Sequence, residues 1–175
     1  MLYTNAYVCY KGKMQRLFWI TGLAGSGKST CASYLAKKLK EKYDNVIVID
    51  GDAIREICSH DLGYNPEDRR KNAFRVAKLC EYLCNQGMIV ICATISLYRE
   101  THEYIYEHFM SPQIIYLDIP RNIVQARDQK SLYSEGKCVV GKDIEFDEPN
   151  HINFVKKITD PSKVFRIIDE IAEKI

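Results

Sequence analysis

The chain has 175 residues, 46% of them apolar and 27% charged, with a formal net charge of +2; the length suits one domain with a core of useful size, and the charge excludes nucleic-acid binding driven by bulk electrostatics. Seven cysteines, an odd number with no CxxC and no paired Cys/His spacing, exclude a disulfide framework and a zinc site and fit a reducing cytoplasm. No run reaches the ~18 apolar residues of a membrane span, and residues 1–16 lack the pattern of a secretory signal.

Residues 17–21 (LFWIT) read as a strand buried on both faces, and a glycine-rich loop follows it directly. A helix over 28–42 comes next. VIVID at 46–50 is a second buried strand, with Asp50 and Asp52 at its end. A short helix follows, for which Asp52 also reads as an N-cap. Asn65 caps a helix over 66–86. Pro66 suits its first position, Glu67 and Asp68 suit its first turn, and Gly87 stops it. Ala73, Val76, Ala77, Cys80, Leu83 and Cys84 form its apolar stripe. MIVICAT at 88–94 and IIYLDI at 114–119 are further strands, with shorter helices over 99–109 and 121–128. A weaker fifth strand is expected at 152–156 (INFVK), and a last helix over 161–174 begins at Pro161.

Near-continuous apolar strands alternating with helices specify the α/β class: a three-layer α/β/α arrangement around a mostly parallel five-stranded sheet. Residues 129–150 show no periodicity and are expected to form a lid or to be disordered. The whole of 1–175 is read as a single domain.

The loop at 22–29 is GLAGSGKS and satisfies G-x-x-x-x-G-K-[ST], the P-loop of NTPases. Gly22, Gly25 and Gly27 let the backbone curl so that its N–H groups face phosphate oxygens. The helix that follows adds a partial positive charge. Lys28 reaches the β- and γ-phosphates and Ser29 ligates Mg²⁺. The expected cofactors are therefore ATP and Mg²⁺, held by Gly22, Leu23, Ala24, Gly25, Ser26, Gly27, Lys28, Ser29 and Thr30.

In an open parallel sheet, ligands bind beyond the carboxyl ends of the strands. Asp50 and Asp52 are thereby expected near the γ-phosphate, to accept a proton from an attacking hydroxyl or to organise Mg²⁺. Arg55 shares a helix face with Asp52. Arg69 and Asn72 share a face of the Pro66 helix, and Tyr64 precedes it where a base can stack.

With these residues in place, the chain resembles the adenylyl-sulfate kinases. The likeness runs over most of 17–133: GLAGSGKST, IDGD followed by Arg55, DLGYNPEDR with Asn72, ATISLYR, and RD-x-K-x-LY at 127–133. It implies a P-loop NTPase fold and transfer of the ATP γ-phosphate to the 3′-hydroxyl of adenosine 5′-phosphosulfate. Lys28, Asp50, Asp52 and Ser96 are then the catalytic candidates; a phosphoenzyme role has been proposed for the family's matching serine. Arg55, Tyr64, Arg69, Asn72, Ile95, Ser96, Lys130 and Val139 join Asp52 around the acceptor, and Arg127 with Lys130 belongs to the lid. The implied partner is a small nucleotide, with neither nucleic acid nor membrane, in the cytoplasm; relatives are often homodimers.

The departures gather on the acceptor side. The lid is shorter than the family's. Val139 falls where the family has a phenylalanine forming the second wall of an adenine sandwich, Thr94 replaces another phenylalanine, and Leu97 replaces a proline. Loss of one stacking wall removes about 1–3 kcal/mol of base binding. A related branch, the cytidine diphosphoramidate kinases of capsule phosphoramidate synthesis, phosphorylates a smaller base while keeping an anionic 5′ group. That acceptor is the favoured expectation, with adenylyl sulfate as the alternative. A non-catalytic nucleotide sensor is a third reading, disfavoured by the intact Gly27, Lys28 and Ser29.

Overall fold

The computed structural model describes residues 16–127, 133–134, 138–149 and 155–174. The strands are β1 (Arg16–Gly22), β2 (Val46–Asp50), β3 (Ile89–Ala93), β4 (Gln113–Leu117) and β5 (Val155–Ile158). The helices are α1 (Lys28–Lys40), α2 (Gly51–Ile57), α3 (Pro66–Asn85), α4 (Arg99–His108), α5 (Arg121–Arg127) and α6 (Val164–Glu173). The strands form one sheet in the order β2-β3-β1-β4-β5, and every pairing is parallel.

The alternation of side chains along β1 explains the three layers. Phe18 and Ile20 point to one face, where Cys31, Leu35 and Leu39 of α1 and Val164, Ile168 and Ile171 of α6 cover them. Leu17 and Trp19 point to the other, against Val76, Cys80 and Cys84 of α3 and Ile105 of α4. Both faces are apolar because both are covered, which is why this strand reads as a continuous hydrophobic run. The Cys80 and Cys84 thiols are core atoms, and burial pushes the Cys84 thiol up to about 12, so Cys84 is no ready nucleophile.

The fifth strand departs from expectation. It runs Val155–Ile158 and pairs with β4 from Ile114↔Val155 to Leu117↔Ile158, whereas the sequence pointed to 152–156. Residues 150–154 lie outside the described residues. The expectation followed apolar side chains, but an edge strand is selected by backbone pairing and tolerates lysine. Lys157 is accommodated by Asp118 at 3.1 Å and Glu148 at 2.8 Å. The last helix also starts later than expected, because Pro161–Lys163 forms a 3-10 turn before α6.

β3 and β4 lie on opposite sides of β1, so successive chain segments diverge at its carboxyl end. That divergence opens a crevice at the end of an α/β sheet. The loop after β1, the start of α2 and the segment after β3 all reach it.

Candidate active site

A cleft of about 880 Å³ occupies that crevice and is lined from the glycine loop, α2, α3, the segment after β3 and Val139. Gly22 fixes the turn into the loop. Its φ is +151°, and a Cβ there would sit 2.6 Å from the Leu117 carbonyl oxygen and 2.8 Å from Ser26 Oγ. Only glycine lets the loop approach β4 this closely. The loop then closes on itself through a bond from Ser26 N–H to the Leu23 carbonyl.

Helix α1 begins at Gly27 with no side-chain cap and no acidic residue in its first turn. The neighbours differ: Asp50 caps α2 and Asn65 caps α3. With glycine as its N-cap, the α1 terminus offers the partial positive charge of a helix start at the end of the loop, where an anion can meet it. Lys28 Nζ donates to the Leu23 carbonyl at 2.8 Å, folded across the loop. Arg127, at the end of α5, donates to the Gly25 carbonyl at 3.2 Å, which brings it onto the same loop. Leu23, Ala24 and Ser26 are buried beneath the loop, while Ser29 and Thr30 are exposed on its cleft side.

Asp50, and not Asp52, is the N-cap of α2. One Asp50 oxygen accepts from Asp52 N–H at 2.9 Å, and the other accepts from Ser29 Oγ at 2.8 Å. The cap moved two positions back from the expected one because β2 ends at Asp50 and the helix begins at once with Gly51. Asp52 is left in the first turn, exposed on the cleft wall. Ser29 and Asp50 supply a hydroxyl and a carboxylate side by side. Hard oxygen donors of this kind, few in number and completed by water and phosphate, are what Mg²⁺ takes. No group of three or more His, Cys, Asp or Glu suited to a metal occurs among the described residues.

Arg55, Arg69, Asn72 and Tyr64 come together on the other wall. Arg55 is buried and donates to the carbonyls of Leu62 and Gly63 at 3.1 and 3.0 Å. Arg69 donates to the carbonyls of Tyr64 and Cys138, each at 2.8 Å. Both guanidinium groups lie on the Tyr64 ring, at 4.8 and 5.2 Å from its centroid. Burial, aided by the Arg55 charge, lowers the Arg69 guanidinium from its usual value, and an incoming anion would relieve that tension. The loop that carries Tyr64 is braced by a two-pronged Arg75–Asp61 pair at 2.8 and 2.6 Å and by Asp68, which accepts from Gly63 N–H.

Ile95 and Ser96 follow β3. Thr21 Oγ1 donates to the Ile95 carbonyl at 2.9 Å. The Ser96 carbonyl faces His102 Nε2 at 3.1 Å, so that nitrogen carries the proton. Ser96 Oγ and Asn72 Oδ1 are both buried without a hydrogen-bond partner. Thr94 presses on Gly51, where a Cβ would lie 2.8 Å from Thr94 Oγ1.

Residues 138–149, part of the expected lid, pack beside the cleft, with Val139 and Val140 in its lining. Val139 is buried, and its carbonyl accepts from the N–H groups of Lys142, Asp143 and Ile144. Gly141, at φ +81°, packs so tightly on the glycine loop that a Cβ would sit 2.8 Å from Leu23 Cδ2. Tyr133 donates to the Ala24 carbonyl. Lys130 lies outside the described residues.

Two residues that sequence reasoning did not weigh hold this arrangement together. Asp147 N–H donates to the Leu97 carbonyl at 3.0 Å, and its carboxylate accepts from Arg99 N–H at 3.1 Å. It thereby caps α4 from a distant segment. His102 is the second, behind Ser96. Neither gives a local signal: a cap is sought beside its helix, and a lone histidine on a helix reads as packing.

Comparison with known proteins agrees with this geometry. The family model described as Adenylylsulphate kinase matches residues 14–157. The chain is 42% identical over 138 residues to the cytidine diphosphoramidate kinase of Campylobacter jejuni, covering 76% of this chain and 81% of that one. It is 37% identical over 140 residues to a probable adenylyl-sulfate kinase of Bacillus subtilis, covering 76% and 71%. Among solved structures, the Mycobacterium tuberculosis APS kinase CysC, in complex with AMPPNP and APS, superposes with a TM-score of 0.81 at 26% identity, covering 92% and 97%. Sheet order, glycine-capped α1 terminus and paired Ser29–Asp50 thus converge with sequence similarity over most of the chain, which belongs to the adenylylsulphate kinase family of phosphotransferases.

Proposed function

We propose that the chain transfers the γ-phosphoryl group of ATP to the 3′-hydroxyl of a nucleotide bearing a 5′-phospho-anhydride, with cytidine 5′-diphosphoramidate as the acceptor. The observation that carries the transfer is the pairing of Ser29 with Asp50 at the glycine-capped start of α1, opposite the cluster of Arg55, Arg69 and Asn72. The polyphosphate lies on the loop and the anionic 5′ end of the acceptor on the arginines. The acceptor's 3′-hydroxyl is left near Asp52.

Catalysis here is positioning and charge neutralisation. Lys28 leaves the Leu23 carbonyl for the β- and γ-phosphates, and Arg127 approaches from α5. Asp52 accepts the proton of the attacking hydroxyl. Ser29 and Asp50 would hold Mg²⁺, which supplies charge neutralisation on the phosphate oxygens. Ser96 serves as a hydrogen-bonding contact to the acceptor, since direct in-line transfer requires no phosphoenzyme. The described lid residues pack on the loop through Gly141 and Tyr133, a packing that would help to exclude water from the transfer.

The choice of base rests on the acceptor wall. Val139 stands there as a small aliphatic residue and Thr94 is held against Gly51, so an aromatic sandwich for a purine is absent from these two positions. The similarity to the Campylobacter jejuni enzyme points the same way. Adenylyl sulfate is the second reading, favoured by the family model and the Bacillus subtilis relative. A coupled ATP-consumption assay with each acceptor, and analysis of the product for a 3′-phosphate, tests the choice. Turnover of the cytidine compound is expected; turnover of adenosine 5′-phosphosulfate alone overturns the acceptor and leaves the kinase.

A further inference from the structure

Three polar atoms on the acceptor side are buried without a hydrogen-bond partner: Asn72 Oδ1, Ser96 Oγ and the Tyr98 hydroxyl. The family resemblance assigns the first two residues to the acceptor. Tyr98 has no assigned role. It is 4% exposed and lines the same cleft. Native proteins leave few buried hydroxyls unpaired, and one that lines a ligand cleft, as Tyr98 does, is placed to take a partner from the ligand.

The surroundings identify that partner as an anion. The Arg70 guanidinium lies over the Tyr98 ring at 5.5 Å, and the charges of Arg69, Arg70 and Arg55 all act on its hydroxyl. Arg55 and Arg69 spend their donors on backbone carbonyls rather than on carboxylates. Three arginines around a buried, unpartnered hydroxyl, against the single carboxylate Glu100 that also acts on it, suit phosphoryl oxygens. Burial raises the Tyr98 hydroxyl above its ordinary value, so it remains protonated and available as a donor. Its place is held from the lid side, because Asp147 binds both the Leu97 carbonyl and Arg99 N–H, on either side of Tyr98.

We propose that Tyr98 is an acceptor-binding residue whose hydroxyl donates a hydrogen bond to a phosphoryl oxygen of the acceptor's 5′-anhydride. This rests on the acceptor reading above only in requiring that anhydride, not in the identity of the base. Hydrogen bonding to a charged oxygen is stronger than to a neutral one, and the bond forms only when acceptor is present.

Tyr98→Phe removes the hydroxyl and keeps the ring. Steady-state kinetics with whichever of the two acceptors the wild-type chain turns over should show KM for that acceptor raised about tenfold. KM for ATP and kcat should stay within about twofold, since the bond is made equally in ground and transition states. The ligand-free variant should melt no lower than wild type, because an unpaired buried hydroxyl has been removed. An unchanged acceptor KM, or equal rises in both KM values, overturns the proposal. So does a lowered melting temperature with an unchanged ratio of the two KM values, which marks a structural role. Turnover of adenylyl sulfate instead of the cytidine compound overturns only the choice of base, and the comparison then runs on that nucleotide.

Discussion

Asp50 uses its two oxygens for two different purposes. One caps α2 and the other meets Ser29. The two uses can be separated by substitution. Asparagine caps a helix about as well as aspartate, so Asp50→Asn should leave the melting temperature nearly unchanged while lowering kcat at least about a hundredfold, through loss of the charge beside Ser29. Asp50→Ala should lose a similar amount of activity and about 1 kcal/mol of stability as well. Thermal melts and initial rates on both variants check this. Equal stability of the alanine and asparagine variants would show that the cap contributes nothing.

At the scale of elements, helix starts differ in what caps them. The starts of α2 and α3 are closed by Asp50 and Asn65, and that of α4 by the distant Asp147. α1 differs in having glycine, Gly27, as its N-cap, with no side chain to offer, and it is the helix that follows the glycine loop. The signals for α3 were plain in the chain, since Asn65, Pro66, Glu67 and Asp68 are adjacent. The partner of α4 was not, because 48 residues separate Arg99 from Asp147.

The contact of α4 with the segment after β3 also has a pH signature. His102 is buried, and burial lowers its pKa despite the Ser96 carbonyl and the Asp147 and Glu100 charges, which raise it. A lowered folded value means that the unfolded chain takes up the proton first. Stability is therefore complete above the ordinary imidazole value of about 6.5 and declines as pH falls below it. Melting curves between about pH 7 and 5 should show this decline, and His102→Gln, which keeps a donor but does not titrate, should flatten it. An identical slope in the variant would place the acid sensitivity elsewhere.

At the scale of the whole molecule, the cleft exists because β3 and β4 flank β1 on opposite sides, which opens a crevice at its carboxyl end. A nucleotide bound there would tie the glycine loop, α1, α2 and the segment around Val139 together. AMPPNP with Mg²⁺ at about a hundred times its Kd should stabilise the fold by about 2.7 kcal/mol, or about 5–10 °C for a chain of this size. Lys28→Ala should melt like wild type without nucleotide, lose most of that shift, and lose phosphoryl transfer. Retention of the full shift together with turnover in the variant would remove the loop from the proposed role.

The chain by itself determined what is local. Apolar runs placed four of the strands, adjacent caps and periodicity placed α3, and the spacing of Gly22, Gly27, Lys28 and Ser29 announced a phosphate loop before any fold was known. Those features act over a few residues, so neighbours in sequence suffice to express them. Only the tertiary structure decided which carboxylate meets Ser29, which residue caps α4, where the edge strand β5 pairs, and that the Tyr98 hydroxyl lies buried and unpartnered near three arginines. Each of these depends on backbone or charge brought together from distant positions, and hydrophobic periodicity carries no record of such meetings.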